Sequence, residues 1–398
     1  MAPTPDEQSF VTWLRENGAE FPKLAWPVVT PNGLRGAVAT GAIASGEAML
    51  RIPKKLLISE ELCLQDTELK PIYEGNRDVF TRDDPVIALF LMRELTKGDA
   101  SFYAPYLRIL PYPTTIQDWT EDELSELRDS YLVDMAKRRI AEVRVFYSRI
   151  FDRLDEKYPG RFPRSEYTFE RFAWMWKTIQ ARTFGRRLPW TALVPFADCL
   201  NHQNVATKYD FDVDGNGVFR LFPSRTNAYE QGSEVFNSYG RRPNSQLLLD
   251  YGFALEHNEW DTVDIELPRA APAAKAKTTF RRRSMRIDCH TSLDEVLAMD
   301  MSAEAADNQA EWLRVLHEAL STALKSFDTS VAQDEETLQQ HGERLSDRKC
   351  VAIVYRVNRM KIVERLLNEV SEALAKHTAL GSAAIDISAG MQQLEIAQ

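Results

Sequence analysis

Hydrophobic positions change their period three times along the chain and so mark out four stretches. Between residues 31 and 59, "PNGLRGAVATGAIASGEAMLRIPKKLLIS" carries short β-like runs punctuated by Gly and Pro. Residues 37–39, 48–52 and 56–58 read as strands, with turns near Asn32-Gly33 and Ser45-Gly46. The period then lengthens. "TEDELSELRDSYLVDMAKRRIAEVRVFYSRIFDRLDEKY" opens with Thr120 and Glu123 at capping-box spacing. Leu124, Leu127, Tyr131, Met135, Val143, Phe146, Ile150 and Leu154 keep a helical stripe through it. "TFERFAWMWKTIQAR" (168–182) predicts a second helix with Phe172, Met175, Trp176 and Ile179 on one side, so its tryptophans read as core packing and not as a ligand box. Alternation returns in "KYDFDVDGNGVFRLFPS", where Tyr209, Phe211 and Val213 enter a "DGNG" turn and Phe219 and Leu221 leave it, a hairpin signal. "PRAAPAAKAKTTF" (268–280) reads as a linker. Helical runs follow, the last placing Ile353, Val357, Met360, Val363, Leu367, Val370 and Leu374 at three- and four-residue steps. The order is strands, helical insert, strands, helical tail.

Composition narrows the class. A chain of 398 residues suits two domains, and 44% hydrophobic with 27% charged residues is a globular balance. No stretch approaches the roughly 20 apolar residues of a membrane span. The start "MAPTPDEQSF" has neither a secretion signal nor transit-peptide character, which sets the expected address as cytosol or nucleus. Cys63, Cys199, Cys289 and Cys350 lie far apart with no C-x-x-C, against a zinc cluster or a disulfide framework. A net charge of −10 disfavours nucleic acid and suits a basic protein partner, although it also serves plain solubility.

Three motifs invite chemistry they do not carry. "DFDVDGNGVFRL" (210–221) resembles a calcium loop, but Leu221 stands where a bidentate Glu must close the shell, and the flanks alternate like strands. The basic run "KTTFRRRSMR" (277–286) reads as a solvated loop edge before an import or partner patch. In "FADCLNHQN" Cys199 and His202 have only Asp198 as a further nearby ligand, too few for a metal. The apolar neighbours Phe196, Ala197 and Leu200 suit an inert thiol.

Four segments taken together, "GLRGAVATGAIASGEAMLRIPKKLLIS", "ARTFG", "LVPFADCLNH" and "FNSYGRRPNSQLLLDYGF", resemble in order the core motifs of the SET family. They are most similar to the plant Rubisco large-subunit methyltransferase class, which includes the actin histidine methyltransferase. The Asn-His pair followed about 35 residues later by "SYG" and then "YGF" is the specific part, and the likeness covers nearly the whole chain. It implies an α+β fold: a β-rich SET domain with a knot-like crossing and a helical insert, followed by an all-α C-terminal substrate-binding domain. The corresponding boundaries are 1–262, with the insert at about 82–190, and 263–398. The implied activity is S-adenosyl-L-methionine-dependent protein-lysine N-methylation of a non-histone protein by a monomer, with no metal. Histidine methylation on the same fold and a catalytically inactive binding scaffold are the alternatives.

Residue by residue, the resemblance matches Tyr239 to the catalytic tyrosine. It matches Arg35, Gly36, Arg182, Asn201, His202, Tyr239 and Phe253 to cofactor contacts, Arg182 meeting the methionine portion and Phe253 the adenine. Tyr251 matches a second tyrosine near the transfer channel, and Phe184 and Phe196 are either channel wall or core. Two departures stand out. The early Gly-x-Gly reads Leu34-Arg35-Gly36, with the first glycine displaced to Gly33. Phe184 stands where the histidine-methylating branch has an Asn, and an apolar residue suits a lysine stem better. No cysteine cluster follows "YGF" to form a zinc-bearing post-SET module.

Overall fold

The computed structural model describes residues 2–30, 33–185, 187–212, 217–267, 284–300, 309–342 and 345–395. They form two compact units. The first comprises Met1–Asp118, Tyr131–Arg241 and Leu248–Gly252; the second Trp119–Ser130, Arg242–Leu247 and Phe253–Gln398.

The first unit holds three small antiparallel sheets. Leu24–Val29 pairs with Arg35–Ala39, which pairs with Glu234–Val235. Leu50–Pro53 pairs with Val218–Pro223, and that strand with Thr207–Phe211, the expected hairpin. Within it Arg220 grips Asp210 at 2.8 and 3.1 Å, so the first acid of the calcium-like motif is spent on an ion pair. Ile58–Ser59, Ala192–Leu193 and Thr183–Phe184 make the third sheet. Leu56, read as a strand residue, instead ends a 3-10 turn, Lys54–Leu56, that buries its side chain. One contact breaks the antiparallel rule: a parallel bridge joins His202 to Asn237, whose N–H donates to the Asn201 carbonyl at 2.8 Å.

Helices fill the insert. Asp83–Lys97 is buried continuously from Asp84 to Glu94, as a helix apolar all round must be. It packs on Phe169–Arg182, whose Thr168 caps it through the Arg171 N–H. Trp176 is buried there. The stripe expected to run unbroken from Thr120 divides into Glu121–Ser125 and Ser130–Lys157. Arg128, at φ 51°, turns the chain between them, while Leu127 is buried and Asp129 is held by Tyr355 and Arg359.

In the second unit Leu293–Asp300, Gln309–Lys325, Val331–His341 and Asp347–Glu395 are helical. Trp312, Leu313, Leu316 and Leu320 pack with Val363, Leu366 and Val370. A two-stranded hairpin joins these helices, Thr262–Glu266 with Ser284–Asp288, turning Val263, Ile265, Met285 and Ile287 into the same core. Its alternation is too short to read as strand without its partner. The linker expected at 268–280 and Arg281 to Arg283 of the basic run lie outside the described residues. No helix among the described residues is long and apolar enough to cross a membrane.

Candidate active site

The site grows from the segment 194–202. Phe196, fully buried, has φ 76° and ψ −45°, close to a strained γ-turn and rare for a bulky residue. Its ring stacks on Phe21 with centroids 4.2 Å apart, which holds the strained backbone in place. The Ala197–Cys199 turn follows at once and places Asp198, Asn201 and His202 in succession. Strain of this kind persists only where its surroundings fix it, and it concentrates at functional sites.

Asp198 is the hub. Its side chain has no exposed surface, and its Oδ2 accepts from the Tyr106 hydroxyl at 2.6 Å and from Arg182 Nη1 at 3.3 Å. Nη1 also donates to the Asp198 carbonyl at 2.8 Å. Burial pushes the Asp198 carboxyl up, while Arg182 and Tyr106 draw it back. Cys199 leans toward Oδ1, and burial followed by the Asp198 charge drives its thiol well above the usual range. A thiol so placed is a poor nucleophile and a poor metal ligand.

His202 and Tyr239 form the second layer. The Tyr239 N–H donates to His202 Nδ1 at 3.0 Å, so this nitrogen is an acceptor and the ring neutral. The Asn237 carbonyl, 3.3 Å from the same atom, is therefore a contact and not a second hydrogen bond. The Tyr239 ring lies between His202 (4.8 Å, 19° between planes) and Tyr251 (4.8 Å, 31°). Its hydroxyl donates to the Leu200 carbonyl at 2.9 Å. Burial pushes the phenol far up, against the pull of Arg182, and keeps it protonated. After Tyr251 the chain passes so close to Thr114 that a Cβ on Gly252 (φ 84°) would sit 2.1 Å from the Thr114 carbonyl oxygen.

The third element is a close approach. A Cβ on Gly36 would meet Glu234 Oε1 at 2.6 Å and Asn201 Nδ2 at 2.9 Å, and Asn201 Nδ2 itself donates to Glu234 at 2.8 Å. A side chain at position 36 would force the ends of Glu234 and Asn201 to shift. Asn201, His202, Tyr239 and Tyr251 thus assemble around one another, with Gly36 against Asn201 and Arg182 against Asp198. Arg35 is paired with the buried Glu7. Phe184 packs edge-on to Tyr209 and Phe219 at 5.3 and 5.2 Å. Phe253 falls in the second unit and is half-buried. Tyr106, Asp198 and Glu234 escaped the sequence reading. Asp198 was weighed only as a metal ligand, and no local signal marks Tyr106.

A groove of about 870 Å³ lies elsewhere, lined by Glu7, Val11, Phe21 and Trp26 among others, with none of the Tyr239 cluster in its walls. Among the described residues no group of three His, Cys, Asp or Glu is placed to hold a metal ion.

The fold is that of the LSMT SET domain: the structure bound to lysine and AdoHcy superposes with a TM-score of 0.67 at 21% identity, covering 94% of this chain and 92% of that one. Rubisco LSMT bound to AdoMet gives 0.65 at 20% identity. Residues 285–363 match the Rubisco LSMT substrate-binding family. The chain is 27% identical over 409 residues to the [fructose-bisphosphate aldolase]-lysine N-methyltransferase of Arabidopsis thaliana, covering 90% of this chain and 82% of the relative. It is 24% identical over 414 residues to the human actin-histidine N-methyltransferase, covering 90% and 67%. Against the Nicotiana tabacum Rubisco large-subunit N-methyltransferase it is 29% identical over 279 residues, spanning about half (53%) of that relative. The chain thus has the fold of the LSMT SET domain, matches the Rubisco LSMT substrate-binding family over residues 285–363, and is similar over most of its length to lysine- and histidine-directed protein methyltransferases.

Proposed function

We propose that this protein is an S-adenosyl-L-methionine-dependent protein-lysine N-methyltransferase acting on a non-histone protein. The reading rests on Tyr239, a protonated phenol ranged between His202 and Tyr251 with its hydroxyl on the Leu200 carbonyl. Two features fit the cofactor: the tight Gly36–Asn201 approach and the cationic Arg182, which suits the carboxylate of its methionine portion. S-adenosyl-L-methionine supplies an electrophilic methyl group on a sulfonium. The chain's residues align the acceptor. A lysine entering an aromatic, desolvated channel loses its charge readily, because burial disfavours an ammonium. Tyr239, held protonated, is no general base at neutral pH. Its oxygen and the nearby carbonyls orient the amine, which must arrive within about 3 Å and in line.

Phe184 favours lysine over histidine, since its ring offers an imidazole no hydrogen bond. Residues 285–363 form the protein-recognition surface of this reading, and a net charge of −10 suits a basic target. Purified protein should bind S-adenosylmethionine in calorimetry and transfer labelled methyl to a protein in its own cell lysate. Acid hydrolysis of the product should give methyl-lysine. Methyl-histidine would move the assignment to the other branch, and absence of cofactor binding would end the enzyme reading.

A further inference from the structure

Nothing in the proposed chemistry so far gives the Asp198 side chain a task, yet that side chain has no exposed surface. Tyr106, without exposed surface, donates to it at 2.6 Å, and Arg182 Nη1 approaches at 3.3 Å. The Cys199 thiol points at the other oxygen from 3.7 Å. All three partners are donors, which is the environment of a carboxylate and not of a carboxylic acid. Among the described residues the charges around it are few. His202 is neutral because Nδ1 accepts the Tyr239 N–H, and Tyr106 and Tyr239 are phenols held protonated by burial. Glu234 lies on the Asn201 side, half-buried and more open to water. Arg182, half-buried, and the buried Asp198 thus make a pair of zero net charge beside the tyrosine that would face the transferred methyl.

We propose that Asp198 is the counter-charge of the methyl-donor pocket: by neutralising Arg182 it lets the site hold a cationic sulfonium in preference to a neutral thioether. The inference rests on the proposed cofactor reading and deepens it. S-adenosylmethionine and S-adenosylhomocysteine share adenosine, ammonium and carboxylate, and differ in one methyl group and one positive charge at sulfur. A pocket left with an unbalanced guanidinium repels the first more than the second. The residue would then help the enzyme take up the donor and release the spent product.

The test is a ratio. Dissociation constants for both ligands are measured by calorimetry on wild type, Asp198→Asn and Tyr106→Phe. Asparagine keeps the shape and an acceptor for Tyr106 but removes the charge. Asp198→Asn should raise the S-adenosylmethionine constant relative to that of S-adenosylhomocysteine by on the order of tenfold, as one unit charge acting across a poorly screened pocket would. Tyr106→Phe, which disturbs the packing but leaves the carboxylate, should keep the wild-type ratio. Should the asparagine variant fold poorly, Asp198→Ser provides the same comparison. A parallel loss of both ligands in Asp198→Asn, or an equal ratio shift in Tyr106→Phe, would reduce Asp198 to a structural residue and overturn the inference. Wild type that binds neither ligand would instead overturn the cofactor reading on which it stands.

Discussion

Each unit sets an arginine against a buried aspartate with a tyrosine close by, and the two clusters use the guanidinium differently. In the second unit Arg356 directs Nε and Nη2 at the two oxygens of Asp334, and Nη1 at the carbonyl and carboxylate of Glu126. One turn on, Arg359 pairs with Asp129, which also accepts from the Tyr355 hydroxyl at 2.7 Å. Every nitrogen of Arg356 is spent, and the result is a strut binding segment 119–130 to the long C-terminal helix. In the first unit, the hydrogen bonds of Arg182 to described residues run through Nη1 alone. On the proposed cofactor reading, its remaining edge meets the ligand. On that reading the same residue types make a strut when saturated and a binding group when not, a contrast that experiment can break.

The largest effect is expected at the strut. Arg356→Met leaves Asp334 buried without its cation and should cost about 3–5 kcal/mol of unfolding free energy, the usual penalty for half a buried pair. Urea denaturation measures the loss, and the folded variant should bind S-adenosylhomocysteine nearly as wild type does. Tyr239→Phe should do the reverse. Folding and cofactor binding stay close to wild type, while methyl transfer falls by about 10²–10³, the scale for deleting one preorganised polar group at a reacting centre. A variant that transfers methyl at the normal rate would remove Tyr239 from the mechanism. Arg182→Lys keeps the charge but loses the planar fork, and should weaken S-adenosylhomocysteine binding about tenfold. Unchanged affinity would mean that Arg182 is a second strut, and the comparison would fail.

The sequence exposed the Tyr239 cluster better than the strut, for a physical reason. Asn201-His202 and Tyr239 sit in short motifs whose order and spacing are visible in one dimension. The Phe169–Arg182 helix and the 207–223 hairpin declare their period because one face of each is polar. Asp83–Lys97 hides its period by being buried on every side, and Val331–His341 shows none because Asp334 is its one buried residue. Long-range partners leave no local mark at all. Tyr106 reaches Asp198 across 92 residues, and Arg356 reaches Glu126 across 230. Arg35, which its place in the motif predicts as a cofactor contact, also pairs with Glu7 of the Pro5–Glu16 helix, a partner that no local pattern announces.

The smallest expected effect separates the units by pH. Asp261 in the second unit is almost wholly buried and accepts from Asn244 N and Nδ2 and from Thr262 N at 2.9–3.0 Å. Desolvation outweighs these bonds and the nearby Arg359, and lifts its carboxyl to about 6. An unfolded Asp titrates near 3.9, so between roughly pH 4 and 6 the native state binds the extra proton. Unfolding free energy from this group therefore falls as pH rises through that window and is fully present below it. Asp261→Asn removes the titration. The stability of wild type relative to the variant should accordingly grow, by on the order of 1 kcal/mol, as pH is lowered from 7 to 4. Other carboxylates, such as Glu126 held low beside Lys349 and Arg356, contribute equally to both proteins and cancel in the difference. A gap that stays constant with pH would mean that the three donors keep Asp261 ionised throughout.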